Sequence, residues 1–258
     1  MNVIVMAGTK DAANIIKMLS STEKFNILAT TTTSYGADIA KAAGADKVIS
    51  KALSLEELVE LIKTNDIKVL VDATHPFAAN ATYNAIKSSN ISGIKYLRFE
   101  RPLENLKEDD LIHEVSSFEE AALKTLELTE GRVMHLAGVS TLAPIIKKID
   151  SSMLFTRVLP SVDSIQKCSD MGINQGNIIA MQGVFSKEFN KTLFKEYKIS
   201  LIITKESGET GGTSSKISAA VELGIDVVLV TRPKVAELEK ENIFTRLDEI
   251  VDFMLKVA

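Results

Sequence analysis

Residues 3–19, VIVMAGTKDAANIIKML, pass from a short apolar run through a small-residue turn into a helical pattern. The alternation continues with apolar, β-branched runs at 27–32, 47–49 and 69–72, separated by helical patterns. Such alternation predicts βαβ units and a parallel sheet. Ser54, followed three residues later by Glu57, predicts a capping box at the start of the third helix.

The same alternation restarts after the acidic segment 104–110. Strands are predicted near 133–136, 154–158, 178–181, 201–204 and 227–230, with helices between them and a final helix over 247–257. We therefore predict an α/β chain of two parallel-sheet domains, 1–108 and 109–258, with the boundary near 103–115. The alternative is an exchanged arrangement, in which a terminal strand or helix of one half docks on the other.

Composition narrows the classes of function. A chain of 258 residues that is 45% hydrophobic can bury a real core, and its net charge of -4 gives no basic surface for nucleic acid. We expect a cytoplasmic protein, because the chain start lacks a signal-peptide pattern and no apolar run approaches the ~20 residues of a bilayer span. The one cysteine, Cys168, excludes an intramolecular disulfide. His113 and His135 lack metal-ligand spacing to His75 or Cys168, so we expect no metal site.

The turn after the first predicted strand is a candidate anion site. Gly8 and Thr9 at the carboxyl end of the strand would let a phosphate approach the amides that open the next helix, which suits a dinucleotide. An AGT turn also serves wherever a strand must bend tightly into a helix.

The segment TTTTSYG, residues 30–36, follows the second strand, where nucleotide-binding sheets often carry an acidic residue. Thr33, Tyr35 and Gly36 are candidates for contact with a ligand. The competing interpretation is that β-branched residues finish the strand and Ser34 caps a helix.

DATHPFA, residues 72–78, follows the apolar strand 69–71 and is predicted at the same sheet edge as Gly8. His75 precedes Pro76, which favours an extended backbone at the histidine and the start of a helix over 77–88. The alternative is a plain helix start capped by Asp72 or Thr74. The density of polar side chains favours a functional loop.

Cationic and glycine-rich segments follow other strands. Arg98 and Arg101 could bind carboxylate or phosphate, although a surface ion pair with Glu100 or Glu104 explains them equally. TKESGETGGTSSK, residues 204–216, runs from a strand into a helix that carries Lys216, which predicts a flexible anion-binding loop rather than a linker. It lacks the residue order of a P-loop.

Together these segments resemble the precorrin-6A reductase family of cobalamin biosynthesis, including its cobalt-precorrin-6A members. The resemblance rests on AGT at 7–9, TSYG at 33–36, DATHPFA at 72–78, RFERP at 98–102, MQGVFS at 181–186, TKESG at 204–208, Lys216 and TRP at 231–233. The chain departs from the family at the first turn, where two glycines and an acidic residue are more usual, and at Val184, where proline is more usual.

The resemblance implies two Rossmann-like domains with a cleft between them and an NADH- or NADPH-dependent reduction of one double bond of the precorrin-6A macrocycle. It leaves open the nucleotide and whether cobalt is present. The expected nucleotide contacts are Gly8, Thr9, Thr33, Tyr35, Gly36, Thr74, Pro76 and Phe77. The expected substrate contacts are Arg98, Arg101, Gln182, Ser207, Gly208, Lys216 and Arg232, with Arg157 a further cation. His75, then Lys205, are the candidate proton donors. The alternatives are a non-catalytic tetrapyrrole carrier and a reductase of another anionic substrate.

Overall fold

The computed structural model describes residues 1–103, 108–208, 211–240 and 242–258. Part of the predicted boundary segment, including Glu104, and residues 209–210 of the predicted loop 204–216 lie outside them. The chain divides into two compact units. The first unit comprises Met1–Pro102 and Lys234–Ala258, and the second unit comprises Leu103–Pro233.

The first unit alternates strands with helices, as the sequence predicts. Its elements through residue 99 are β1 (Asn2–Met6), α1 (Lys10–Ser20), β2 (Asn26–Thr31), α2 (Ser34–Ala42), β3 (Lys47–Ser50), α3 (Leu55–Thr64), β4 (Val69–Asp72), α4 (Ala79–Ser92) and β5 (Lys95–Phe99). The strands are apolar because helices cover both faces of their sheet. Val3, Ile4 and Val5 are accordingly shielded from solvent.

Two helix starts test the local sequence signals. The capping box of α3 is confirmed: Ser54 Oγ accepts from the Glu57 N–H at 3.2 Å, and the Glu57 carboxylate accepts from the Ser54 N–H at 2.8 Å. The helix predicted over 77–88 instead begins at Ala79. It begins later because Pro76 lies in a turn closed by a 2.8 Å hydrogen bond from the Ala78 N–H to the His75 carbonyl.

The second unit continues the pattern, and the chain then returns to the first. The elements are β6 (Ile112–Val115), α5 (Phe118–Leu128), β7 (Arg132–His135), α6 (Ala143–Ile146), β8 (Leu154–Val158), α7 (Val162–Asp170), β9 (Ile178–Ala180), α8 (Lys187–Glu196), β10 (Ile199–Lys205), α9 (Thr213–Glu222), β11 (Asp226–Val230), β12 (Asn242–Phe244) and α10 (Leu247–Val257).

Two six-stranded parallel sheets with the same strand order form within the described residues. The first sheet runs β3-β2-β1-β4-β5-β12, and the second runs β9-β8-β7-β10-β11-β6. Both follow the 3-2-1-4-5-6 order of dinucleotide-binding sheets, in which ligands bind at the carboxyl edge where the order reverses. The predicted α/β class with two Rossmann-like domains is confirmed.

In neither sheet is the sixth strand the one that follows the fifth strand along the chain. β6 follows β5 along the chain but pairs with β11, while β12 follows β11 but pairs with β5. The prediction that 109–258 forms one domain is therefore wrong for its last residues, and the exchanged alternative is observed. Two interactions hold the end of the chain on the first unit. β12 pairs with β5, and α10 contributes Ile250, Val251 and Met254 to the core of that unit.

Helices cover both faces of the first sheet. α1, α2 and α10 pack over one face, and α3 and α4 over the other. None of the helices in the described ranges combines the length and apolar character that a bilayer span requires.

Candidate functional site

The loops that follow β1 and β4 meet at the carboxyl edge of the first sheet. Met6 is paired with Asp72 in the parallel register, so both loops leave the sheet at the same level, as predicted. Thr9 joins them: its Oγ1 accepts from the Ala12 N–H at 3.1 Å and donates to the Ala73 carbonyl at 2.8 Å. This is the switch point of the strand order.

Asp72 anchors the DATHPFA loop from inside the unit. Its Oδ1 accepts from the Thr74 N–H at 3.0 Å, from the Thr74 hydroxyl at 2.7 Å and from Arg98 Nη1 at 2.8 Å. Its Oδ2 accepts from the Tyr96 hydroxyl at 3.0 Å. The loop conformation is thus set by a buried carboxylate that belongs to the strand.

Arg98 is buried in this network. Its Nε lies 3.2 Å from Glu100, and an NH1 group donates to Thr74 Oγ1 at 3.1 Å. Burial alone lowers the pKa of Arg98, but the charges of Asp72 and Glu100 outweigh it and raise the pKa above the ordinary value. A guanidinium so enclosed supports the conformation of the loop.

His75 and Phe77 lie beyond this anchor. His75 Nδ1 accepts from the Phe77 N–H at 3.1 Å, and the two rings contact at a centroid distance of 5.8 Å. A neutral His75 therefore carries its proton on Nε2. Both side chains are partly exposed, whereas Pro76 is buried.

Thr33 and Gly36 have structural explanations in the first unit. Thr33, not Ser34, is the N-cap of α2, and its Oγ1 accepts from the Gly36 N–H at 3.1 Å. Gly36 is buried, and a Cβ there would lie 3.3 Å from the Thr31 Cβ. Tyr35 is exposed at the start of the same helix.

A cavity of about 260 Å³ lies at the carboxyl edge of the first sheet. Of the predicted nucleotide contacts, Thr74 lines it. The other lining residues were not predicted: Met6, Ala7, Thr30, Thr31, Thr32, Lys51, Ala52, Leu53, Asn80, Ala81 and Asn84. The loop after β3 and the first turns of α4 could have been found from the sequence by following every predicted strand to the same edge.

Arg101 pairs with Asp11 in the first turn of α1, with both side chains largely buried. Arg232 pairs similarly with Glu206 in the second unit, and the Glu206 carboxylate also accepts from the Gly208 N–H at 3.1 Å. Both arginines therefore have a carboxylate partner. Glu206 was not predicted, although it stands inside the TKESG motif.

The described part of the 204–216 loop is closed by its own hydrogen bonds. The hydroxyls of Ser207 and Thr213 lie 3.0 Å apart, and Thr213 Oγ1 accepts from the Ser207 N–H at 3.2 Å. A Cβ on Gly211 would lie 2.1 Å from Ser207 Oγ, so this close approach requires glycine. Lys216 Nζ donates to the Gly211 carbonyl at 3.1 Å.

Lys205 and His135 lie on neighbouring strands of the second unit. Burial lowers the pKa of Lys205 to about 8. Burial, with the Lys205 charge as the second cause, lowers the pKa of His135 to about 3, so the imidazole is neutral. His135 Nε2 lies 3.0 Å from Thr141 Oγ1, which donates to the Gly138 carbonyl at 2.9 Å. Since that hydroxyl has one proton, His135 donates from Nε2.

A second cavity, of about 200 Å³, lies where the order of the second sheet reverses. Lys216 lines it, and so does Arg157 near the carboxyl end of β8. Gln182 is exposed in the loop after β9 and does not line it. An arginine within the apolar strand LFTRV is the sequence signal for the Arg157 position.

The two units repeat short motifs at equivalent strand ends. Ala7-Gly8 comes after β1, and Ala137-Gly138 comes after β7, which has the equivalent position in the second sheet. Both glycines have positive φ, 109° and 89°. Arg101-Pro102 and Arg232-Pro233 follow the two fifth strands. In the described residues, no three His, Cys, Asp or Glu side chains form a group suited to a metal ion.

The match to known proteins extends over nearly the whole chain. Cobalt-precorrin-6A reductase of Methanothermobacter thermautotrophicus is 47% identical over 259 residues, which cover 100% of this chain and 84% of the relative. The enzyme of the same name from Methanocaldococcus jannaschii is 41% identical over 255 residues, 98% of either chain.

The fold matches as well. The structure of CobK precorrin-6A reductase superposes with a TM-score of 0.79 at 19% identity and covers 99% of this chain and 97% of its own. The model of the family described as precorrin-6x reductase CbiJ/CobK matches residues 2–255. The chain therefore belongs to the precorrin-6x reductase family.

Proposed function

We propose that this chain reduces one double bond of cobalt-precorrin-6A, giving the 6B form, with NADH or NADPH as the electron donor. The observation that carries the proposal is the identity of 41% and 47% to two cobalt-precorrin-6A reductases over nearly the full length of this chain. The site residues are consistent with it, because polar and cationic loops leave the carboxyl edges of both sheets.

The first unit fits a nicotinamide nucleotide. Gly8 has a φ of 109° and no atom within 4 Å of the place that a Cβ would occupy, so a ligand can approach this backbone closely. The turn opens α1 at the switch point, where amide groups and the helix dipole favour phosphate. We assign the nucleotide to Gly8, Thr9 and the loop 72–78, beside the cavity of about 260 Å³.

The second unit is assigned to the macrocycle. A bound reduced nicotinamide supplies a hydride, and completing the reduction of a double bond also requires one proton. The residues of this chain must therefore align the reactants, exclude water and deliver that proton. Lys205 suits the last task, because an ammonium with a pKa of about 8 is charged near neutral pH and yet gives up its proton readily. His75 is the second candidate, with its proton on Nε2.

The deciding experiment mixes the protein anaerobically with cobalt-precorrin-6A and either NADH or NADPH, while the nicotinamide absorbance is followed. We expect oxidation of the nucleotide that depends on the macrocycle. Binding of the macrocycle without oxidation would instead indicate a tetrapyrrole carrier. Turnover of smaller anionic acids alone would indicate a reductase of another substrate. Comparing the two nucleotides gives the cofactor preference.

Single-turnover rates separate the two proton donors. If Lys205 donates, Lys205→Met slows the reduction strongly, whereas His75→Ala leaves its rate unchanged from about pH 6 to 8, the range around the reference histidine pKa. The reverse pattern assigns the proton to His75. Equal retention of rate in both variants would remove both residues from this role.

A further inference from the structure

Among the described residues, no carboxylate neutralises the positive charge of Arg157. Arg157 Nη1 donates to Asn190 Oδ1 at 2.9 Å, and the guanidinium lies 5.0 Å from the centroid of the Phe185 ring. Both partners are uncharged, and Arg157 has no ion pair with a carboxylate in the described parts of the chain. Arg98, Arg101 and Arg232 each have one.

The guanidinium is held in a fixed position. Asn190 is fully buried, and its amide donates to the carbonyls of Ser186 and Phe185 at 2.9 Å and 3.3 Å. Phe185 in turn stacks on Phe189 with ring centroids 4.6 Å apart. A preorganised cation with no counter-charge in the described part of the chain is the arrangement expected of an anion site, since a partly desolvated charge gains most from a ligand of opposite sign.

Lys216 is a second cation on the same cavity. Its side chain is 8% exposed and hydrogen-bonds the Gly211 carbonyl at the start of α9. Two cations, one from β8 and one from α9, thus line the same cavity.

Two exposed apolar side chains are among the residues that line this cavity. Leu159 is 54% exposed and Val184 is 66% exposed. At about 200 Å³ the cavity is smaller than the ~300–1,000 Å³ pockets that enclose whole ligands, so it suits a substituent of a larger molecule. A cavity that offers cations to an anionic group, next to exposed apolar side chains, suits a carboxylate substituent on a large ring.

We propose that Arg157 and Lys216 bind one carboxylate substituent of the macrocycle, while Leu159 and Val184 contact the face of the ring. This assignment rests on the proposed function, because that function names the polycarboxylate. A phosphate of the nucleotide shares the anionic chemistry and is the competing source of the charge.

The test measures equilibrium binding to the full-length protein without turnover. The probes are cobyrinic acid, which is a stable corrin polycarboxylate, its polyamide analogue, NADH and NADPH. For Arg157→Met we expect the affinity for cobyrinic acid to fall about 10-fold to 100-fold, the range for losing a charged hydrogen bond. Affinity for the polyamide and for both nucleotides should stay unchanged. Arg132→Met is the matched control, because Arg132 is exposed in the same unit and does not line the cavity.

A second variant guards against misfolding at position 157. Val184→Asp changes an exposed residue that lines the cavity and places a negative charge there, so it should also weaken cobyrinic acid binding. Unchanged cobyrinic acid affinity in both variants overturns the proposal, as does a loss of nucleotide affinity with macrocycle binding intact.

Turnover then separates this proposal from the proposed function. Nucleotide oxidation with an unaltered macrocycle KM in Arg157→Met would refute the subsite alone. Binding of cobyrinic acid that depends on Arg157, in a protein that oxidises no nucleotide, would support the subsite and refute the reductase.

Discussion

Replacing Arg98 with methionine tests whether the buried pair with Asp72 holds the first unit together. The two side chains are 2% and 0% exposed and their charged atoms lie 2.8 Å apart. At an effective dielectric constant of about 20 their attraction is roughly 6 kcal/mol. Arg98→Met keeps most of the buried stem but leaves Asp72 without its counter-charge. We expect a loss of about 3–5 kcal/mol in the free energy of unfolding, because the Asp72 carboxylate stays buried with its charge uncompensated.

Urea titration followed by tyrosine fluorescence suits this measurement. The chain has no tryptophan, and three of its four tyrosines, Tyr35, Tyr83 and Tyr96, belong to the first unit. Arg246→Met is the matched control in that unit, since Arg246 and Asp248 form a pair with side chains 66% and 55% exposed. Exposed pairs contribute up to about 1 kcal/mol. A loss in Arg98→Met no larger than in Arg246→Met would refute the role given to the buried pair.

Three further predictions concern the second unit. The pKa of His135 is about 3 in the folded protein and 6.5 in the reference state, so the unfolded chain takes up a proton at a higher pH than the folded chain does. The stability of the protein should therefore be full above pH 6.5 and fall as the pH is lowered toward 3. His135→Gln should flatten this dependence of the melting temperature on pH. If Lys205 donates the proton, kcat should decline as the pH rises through about 8, and Lys205→Arg should remove that decline; an unchanged profile would exclude this donor. Gly211→Ala should cost about 1–3 kcal/mol in urea titration because its Cβ would meet Ser207, whereas Gly176→Ala, with no atom within 4 Å, should not; equal losses would contradict this steric argument.

Hydrophobic periodicity was enough to predict the fold class and most elements. Apolar runs such as 69–71, flanked by helical patterns, indicate buried strands of a parallel sheet. The capping box at Ser54 sets the start of a helix by local hydrogen bonds. The exchange of sixth strands could not be predicted in this way. β12 has only three residues, and its partner β5 is distant in sequence, so pairing is decided by tertiary packing around α10.

The positions of the candidate loops were predictable from the sequence, but the contacts of their charged residues were less so. Strand ends located the loops at 72–78 and 204–208, because carboxyl edges of parallel strands collect ligand-binding loops. Charge alone could not distinguish Arg98, which is enclosed by carboxylates, from Arg157, which has none in the described residues. That distinction depends on which acidic side chains fold against each guanidinium.

The exchange of β6 and β12 also sets the order in which the sheets can be completed during synthesis. Chains leave the ribosome at about 5–20 residues per second, amino end first. All strands of the second sheet lie between Ile112 and Val230, whereas the first sheet lacks its outer strand until Asn242–Phe244 has emerged. The nascent chain therefore carries β5 as an open edge, available for pairing with other chains, while the second unit already has its full set of strands. The first unit is synthesised first, but its sheet is the last to be completed.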